Sequence, residues 1–358
     1  MNNLFTNYAG YATTRTSYSM LQDFRQCRRY FSLKRRQGFK EREKRAAMEI
    51  GNVVEAALKY YHEQGCKQGT GVDEFKRLWL PFKEREDLTY SSKDGDWAAM
   101  YQAGSEMLAL YEVKWKSFGY ANPKFQVSYK KEVFPGTALA GIDFIAYVDM
   151  LALVREPITP LTEVLKQSPQ IIIDIKVSGS GLDDSEGLLM LDPQLRSYAW
   201  VSGVPDVAFL WMHRHKPSEY KKGDRACLLS DGSDVLVSKG GKSISVTDPG
   251  GRNERPVEAS ALTKQQIKFV RVRIPDEDQR EQGEAIGQAI AEIAEAERRG
   301  SYPKEPGVRF PQNKCVLCSM LPVCTDNDKL IDEKLVRPAT FSGRPASKVV
   351  ETDWIEEI

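Results

Sequence analysis

The sequence predicts an α/β fold with a central mixed sheet flanked by helices. Two observations lead there. The first 120 residues carry apolar side chains at helical spacing, whereas the chain beyond them shifts to alternation and short β-branched runs interleaved with helix. Helices followed by strands, then helix and strand again, is the order expected of one α/β domain. The chain has 358 residues, 41% of them hydrophobic, which suffices for one large core or two smaller ones.

The elements follow in order. Residues 17–36 open with Ser17 and Ser19, side chains that suit a helix cap, and Leu21, Phe24, Tyr30 and Phe31 then recur roughly at helical spacing. A second amphipathic helix is expected over 44–64, with Met48, Val54, Ala57, Leu58 and Tyr61 on its apolar side, and a third over 96–118. KFQVSYKKEVF (124–134) alternates, and ALAGIDFIAYVDML (138–151) is a second strand candidate. Three prolines make 152–169 a loop. QIIIDIKVS (170–178) suits a buried strand, DPQLRSYAWVSG (192–203) a helix ending at Gly203, and DVAFLWMHRH (206–215) a further strand. Residues 217–260 are rich in Gly, Ser, Lys and Asp and are expected to form a surface hairpin insertion. A strand over 262–274 and a charged helix over 276–300 complete the pattern. The domain is expected to span 17–334, between a flexible arm (1–16) and a flexible tail (335–358). There is no internal repeat and no coiled-coil heptad.

No run is long and apolar enough to span a membrane, and the N-terminus lacks the basic start and apolar stretch of a secretory signal, so a cytoplasmic protein is expected. In that compartment clustered cysteines are metal ligands more often than disulfides. Three of them fall in KCVLCSMLPVC, with C-x2-C-x5-C spacing at Cys315, Cys318 and Cys324. Such spacing converges on a metal or an iron–sulfur cluster. A fourth ligand must come from elsewhere, and Cys27 is the candidate, which would tie the two ends of the chain together. A tetrahedral four-cysteine site suits structural Zn²⁺ as well. Net charge is only +1, but Arg25 to Arg45 holds ten Lys or Arg residues against two Glu, a local +8. Arg28, Arg29, Arg35 and Arg36 are therefore candidates for a stripe that tracks a phosphate backbone, against the plainer reading of a solvated helix face.

Asp174 and Lys176 lie two apart on an apolar strand, so both project from the same side. An acid and an amine on such a strand need partners, because unpaired buried charge is costly. Asp143, on the preceding strand, is expected to meet Asp174 and share a divalent cation, with Mg²⁺ or Mn²⁺ taking hard oxygen ligands. Glu55 on the second helix would add a carboxylate. Lys176 would orient the attacking water. Gln194 and Tyr198 sit one turn apart on the 192–203 helix and share a face, so that Gln194 could hold Lys176 or a metal-bound water and Tyr198 could touch DNA. GGKS at 240–243 lacks the spacing of a phosphate loop, and no helicase motor is present.

These motifs resemble, in order, those of RecB-type nucleases of the PD-(D/E)XK superfamily. Ser17 to Phe31 resembles their opening helix, GNVVEAAL their first motif, GIDFI the second, IDIK the third and DPQLRSY their Q-x3-Y motif. The C-x2-C-x5-C ending is similar to iron–sulfur versions in the AddB nuclease domain, CRISPR spacer-acquisition nucleases and phage relatives. The resemblance implies a restriction-endonuclease-like core and a Mg²⁺- or Mn²⁺-dependent deoxyribonuclease. It implies a 4Fe-4S cluster on Cys27, Cys315, Cys318 and Cys324. The implied substrate is DNA that is single-stranded or has free ends, processed in recombination, repair or phage DNA metabolism alongside a helicase or recombination protein. Many relatives have His where Glu55 stands. The alternative reading is a non-catalytic DNA-binding scaffold of the same fold within a recombination or CRISPR-adaptation complex.

Overall fold

The change of periodicity near residue 120 coincides with entry into a six-stranded mixed sheet. A computed structural model describes residues 15–91, 94–135, 140–154, 170–179, 186–214, 225–228, 234–237, 267–304, 313–315 and 318–337. Residues 1–14 of the arm, the tail beyond 337, the loop at 155–169, GGKS and nearly all of the 217–260 insertion lie outside the described residues. Within that insertion only β9 (Arg225–Leu228) and β10 (Asp234–Val237) are described, as an antiparallel pair.

The chain divides into two compact units, each discontinuous. The first takes residues 1–43, 129–146 and 277–358, and the second takes 44–128 and 147–276.

In the first unit, β1 (Arg15–Ser17) lies parallel to the opening residues of β6 (Asp143–Val154) and leads into α1 (Tyr18–Gln26). The single helix expected over 17–36 is broken. Cys27 adopts an extended conformation (φ −168°, ψ 123°), and the chain restarts as α2 (Arg28–Phe31) and a π-helical turn (Ser32–Arg36). The C-terminal stretch returns to the N-terminal one. Asp276–Arg299 forms α8, Leu321–Cys324 forms α9 and Asp328–Lys334 forms α10. The strand β12 (Leu335–Val336) then pairs antiparallel with β2 (Lys40–Glu41). Leu33, Phe39, Met320, Val323, Ile331 and Leu335 make a small core between these stretches.

The second unit holds the larger core. Here β3 (Lys44–Arg45) pairs with β4 (Leu88–Thr89), and between them come α3 (Ala46–Glu63) and α4 (Thr70–Trp79), the latter not foreseen from the sequence. Its N-terminus is capped by a distant acid. Glu112 accepts from the backbone N–H of Gly69, of Gly71 (2.8 Å) and of Val72 (3.1 Å), which satisfies donors a helix start leaves orphaned. Glu112 lies on α5 (Trp97–Lys114), and this acid of a Glu-x-Lys triplet is thus structural. Gly104 of α5 lets Phe75 of α4 approach so closely that a Cβ there would fall 1.9 Å from the ring, which accounts for a glycine inside a helix.

The sheet runs β1-β6-β7-β8-β11, with β5 (Tyr120–Glu132) also beside β6; β7 is Gln170–Ser178, β8 is Asp206–His213 and β11 is Ile267–Arg273. β6 is antiparallel to β7, β7 parallel to β8, and β11 antiparallel to β8. A parallel neighbour needs a crossover. Here it passes through α6 (Glu186–Met190) and α7 (Pro193–Ser202), which brings α7 over β7. Alternate residues of each strand face opposite sides: Met150, Ala152, Ile171, Ile173, Ala208 and Leu210 pack with α3, α4 and α5, leaving Asp149, Asp174 and Lys176 on the other face.

Candidate active site

The ladder between β6 and β7 runs from Leu153↔Gln170 to Met150↔Ile173 and stops there. The next residue on each strand is an aspartate. Asp149 turns its carboxylate onto the backbone N–H of Ile175 at 2.7 Å, so a side chain takes over where the main-chain pairing ends. Asp174 is 1% exposed, and Lys176 lies 2.7 Å from its Oδ2.

Sequence reasoning put Asp143 beside Asp174, and the structure puts Asp149 there instead. Asp143 forms an ion pair with Lys130 at 2.7 Å. It shares a strand face with Asp149, but at about 3.3 Å per residue six positions are too many for the two to share an ion. The register of β6 on β7, in which Met150 pairs with Ile173, places Asp149 at the next position, opposite Asp174.

Gln194 and Tyr198 do meet Asp174 and Lys176. Asp192 caps α7, accepting from the N–H groups of Gln194 and Leu195 at 2.9 Å each, and Pro193 starts the helix without needing a donor. A closed hydrogen-bond ring results. The Lys176 ammonium donates to Gln194 Oε1 (3.1 Å), the Gln194 amide donates to Tyr198 OH (2.6 Å), and that hydroxyl donates to Asp174 Oδ1 (3.4 Å). Tyr198 is 5% exposed, so its place in the ring replaces the expected contact with DNA.

Glu55 completes the charge cluster from α3. Burial and the nearby Asp174 raise its pKa, opposed by a hydrogen bond from Gln126 and by Lys59 and Lys176. Burial and Glu55 push Asp149 up to about 6, against the Ile175 N–H and Lys176. Burial, resisted by Lys176 but reinforced by Asp149, pushes Asp174 up to about 7. Burial disfavours the Lys176 charge, yet Asp174, Asp149 and Asp192 outweigh it and raise the amine above its usual range. Three acids therefore crowd one ammonium, and their mutual repulsion and burial favour the protonated carboxyls. Asp174 Oδ2 is buried and, apart from its ion pair with Lys176, has no hydrogen-bond donor.

Two residues of this site escaped sequence reasoning. Asp149 was visible as a second acid in the strand. Gln126 was not: it sits in the left-handed region (φ 54°) within β5, where its side-chain Oε1 accepts from the Lys59 ammonium at 3.3 Å and its side-chain amide also bonds Glu55. A non-glycine residue held there is strained, and such strain clusters where a side chain must be aimed.

In the first unit, Cys27, Cys315, Cys318 and Cys324 line one cavity of about 190 Å³ together with Tyr30 and Met320. The extended Cys27 faces it from the break between α1 and α2. Cys315 ends a short 3₁₀ turn, Cys318 follows with its N–H on Cys315 O at 3.2 Å, and Cys324 ends α9. Burial raises the Cys318 thiol, and the three other cysteines add to it. Among the described residues, no group of three or more His, Cys, Asp or Glu side chains is placed to hold a metal ion.

The basic stripe is largely neutralised within the protein. Arg35 pairs with Asp23 at 2.6 Å, Arg28 with Glu292 at 3.3 Å, and Arg36 with the buried Glu297. Arg29 Nε is buried without a hydrogen-bond partner. His62, whose partners the sequence did not reveal, bonds Tyr111 OH (2.6 Å) and Cys66 Sγ (3.3 Å), and burial lowers its pKa to about 4. Cys66 is not among the residues that line the four-cysteine cavity.

Acids and a lysine at a splayed strand pair of a mixed sheet, locked by a helix across the parallel crossover, define the class as a nuclease of the restriction-endonuclease-like fold. The chain belongs to the PD-(D/E)XK nuclease superfamily, whose sequence description matches residues 15–325. Among solved structures it is similar to one titled "Putative exonuclease" from Eubacterium rectale, at 15% identity and a TM-score of 0.44, covering 87% of this chain and 92% of that one. A second, titled SSO0001, matches at 12% identity and a TM-score of 0.28, covering 80% and 87%. No curated protein sequence matches the chain.

Proposed function

We propose that the protein is a Mg²⁺- or Mn²⁺-dependent deoxyribonuclease that cleaves phosphodiester bonds from free ends, with Glu55, Asp149 and Asp174 as the cation's ligands. The observation that carries this reading is the Asp149–Asp174–Lys176 cluster and the ring that fixes it. When bound, a divalent cation polarises a phosphate oxygen and acidifies a water. Lys176 stays protonated, held by Gln194 and Asp174, and offers its ammonium to charge developing on the phosphate. Tyr198 fixes the Asp174 rotamer, so the carboxylate pays little reorganisation on binding a cation. Gln126 does the same for Glu55. A scaffold that had abandoned chemistry would have no need to hold a buried acid and lysine in register with a supporting ring.

In this reading the four cysteines that line one cavity hold a 4Fe-4S cluster, with structural Zn²⁺ as the alternative for a four-cysteine site. The cluster would be structural, because hydrolysis needs no electron.

The test is digestion of end-labelled DNA by anaerobically purified protein, with and without Mg²⁺ or Mn²⁺. Metal-dependent digestion that is lost in Asp174→Ala and Lys176→Ala, with DNA binding retained, is the expected result. Equal digestion by either variant overturns the assignment.

A further inference from the structure

Tyr147 lies two residues before Asp149 on the same face of β6, and it is 53% exposed while its neighbours Ala146 and Val148 are buried. An aromatic on an interior strand ordinarily buries its ring. This one stands where β6 has left its ladder with β7, next to the acid that reaches across the opening. Leu191, 63% exposed, immediately precedes Asp192, whose charge acts on both Asp174 and Lys176. The side chains bordering the acids thus offer an aromatic ring and an aliphatic surface, while Arg28, Arg35 and Arg36 are engaged with carboxylates.

Resting on the nuclease reading above, we infer that Tyr147 is a specificity-determining residue, a platform on which an unpaired base stacks beside the scissile phosphate. Stacking needs the face of a base, which a paired duplex does not present, and it tolerates any sequence because every base has such a face. Tyr147 would then select a single strand or a frayed end by its bases, and the exposed Leu191 would add an aliphatic contact.

Fluorescence anisotropy of the full chain carrying Asp174→Asn, which prevents digestion, tests this with three labelled probes: a single strand, an abasic strand of equal length and a blunt duplex. Tyr147→Ala in that background is expected to weaken the single strand roughly tenfold. The abasic strand, the duplex and the salt dependence should not change, and Tyr147→Phe should bind as the parent does. An exposed side chain is a mild substitution, so the melting temperature should be unaltered. Unchanged single-strand affinity, or an equal loss on the abasic strand, overturns the platform while leaving the nuclease reading intact. Failure of the parent to bind any probe, with no digestion by wild type, overturns both.

Discussion

The Asp149 carboxylate accepts the backbone N–H of Ile175 at 2.7 Å, one residue beyond the Asp174 with which it shares the site. One oxygen of Asp149 is thereby spent on holding two strands apart at a fixed distance, and the other remains for chemistry. Asp149→Asn should lower cleavage on the order of 10²- to 10³-fold. Asp143→Asn, which breaks only the pair with Lys130, should stay within about twofold. Initial digestion rates of the two variants at saturating metal check this, and equal loss in both would return the role to Asp143.

The raised pKa values of Asp149 and Asp174, about 6 and about 7, give a pH signature. In the folded, cation-free protein these groups hold protons that the unfolded chain releases near pH 4. Their contribution to stability is therefore full below pH 4 and declines as pH rises towards 7. A bound cation reverses the preference by favouring the carboxylates. The melting-temperature gain on adding Mg²⁺ or Mn²⁺ to chelator-treated protein should grow from pH 5 to pH 8. A gain that is flat or falls with pH would remove these acids from the metal site.

Cys318→Ser should abolish the bound iron and the visible absorbance of anaerobic protein, whereas Cys66→Ser, outside the cavity, should leave both unchanged. Elemental analysis alongside the spectrum is the measurement. One zinc per colourless wild-type chain would replace the cluster by zinc.

Arg36 pairs with Glu297, whose side chain is almost fully buried. Arg36→Ala strands that acid and should cost at most about 3 kcal/mol in urea unfolding, because the guanidinium itself is partly exposed. The salt slope of DNA affinity should be unchanged. A slope that falls by roughly 0.7 to 0.9 would instead mark a phosphate contact.

What the sequence revealed and what it hid divide along a physical line. Asp174, Lys176, Gln194 and Tyr198 could be read because each pair is local, two apart on a strand or four apart on a helix. Asp143 and Asp149 share a strand face, and periodicity cannot choose between them. The choice is made by the register of β6 on β7, a tertiary fact. The basic stripe looked open because Glu292 and Glu297, which quench Arg28 and Arg36, lie more than 250 residues away. The α4 helix was missed for the same reason: its cap is Glu112, not a residue at its own start. Gln126 gave no signal at all, since nothing in its identity announces a left-handed backbone inside a strand.

The discontinuous make-up of the first unit sets an order of events during synthesis. Every side chain of the Asp149–Asp174 cluster has been translated by residue 198, and all of them belong to the unit spanning 44–128 and 147–276. The cysteine cavity needs Cys27 and Cys324 together. At ribosomal speeds roughly 15 to 60 s separate the two. Until Cys315 emerges Cys27 has none of the other three cysteines beside it, so the four thiols can act together only after residue 324 is made, and a ribosome that stalls before residue 315 leaves a polypeptide with its Asp149–Asp174 cluster written but its closing clasp missing.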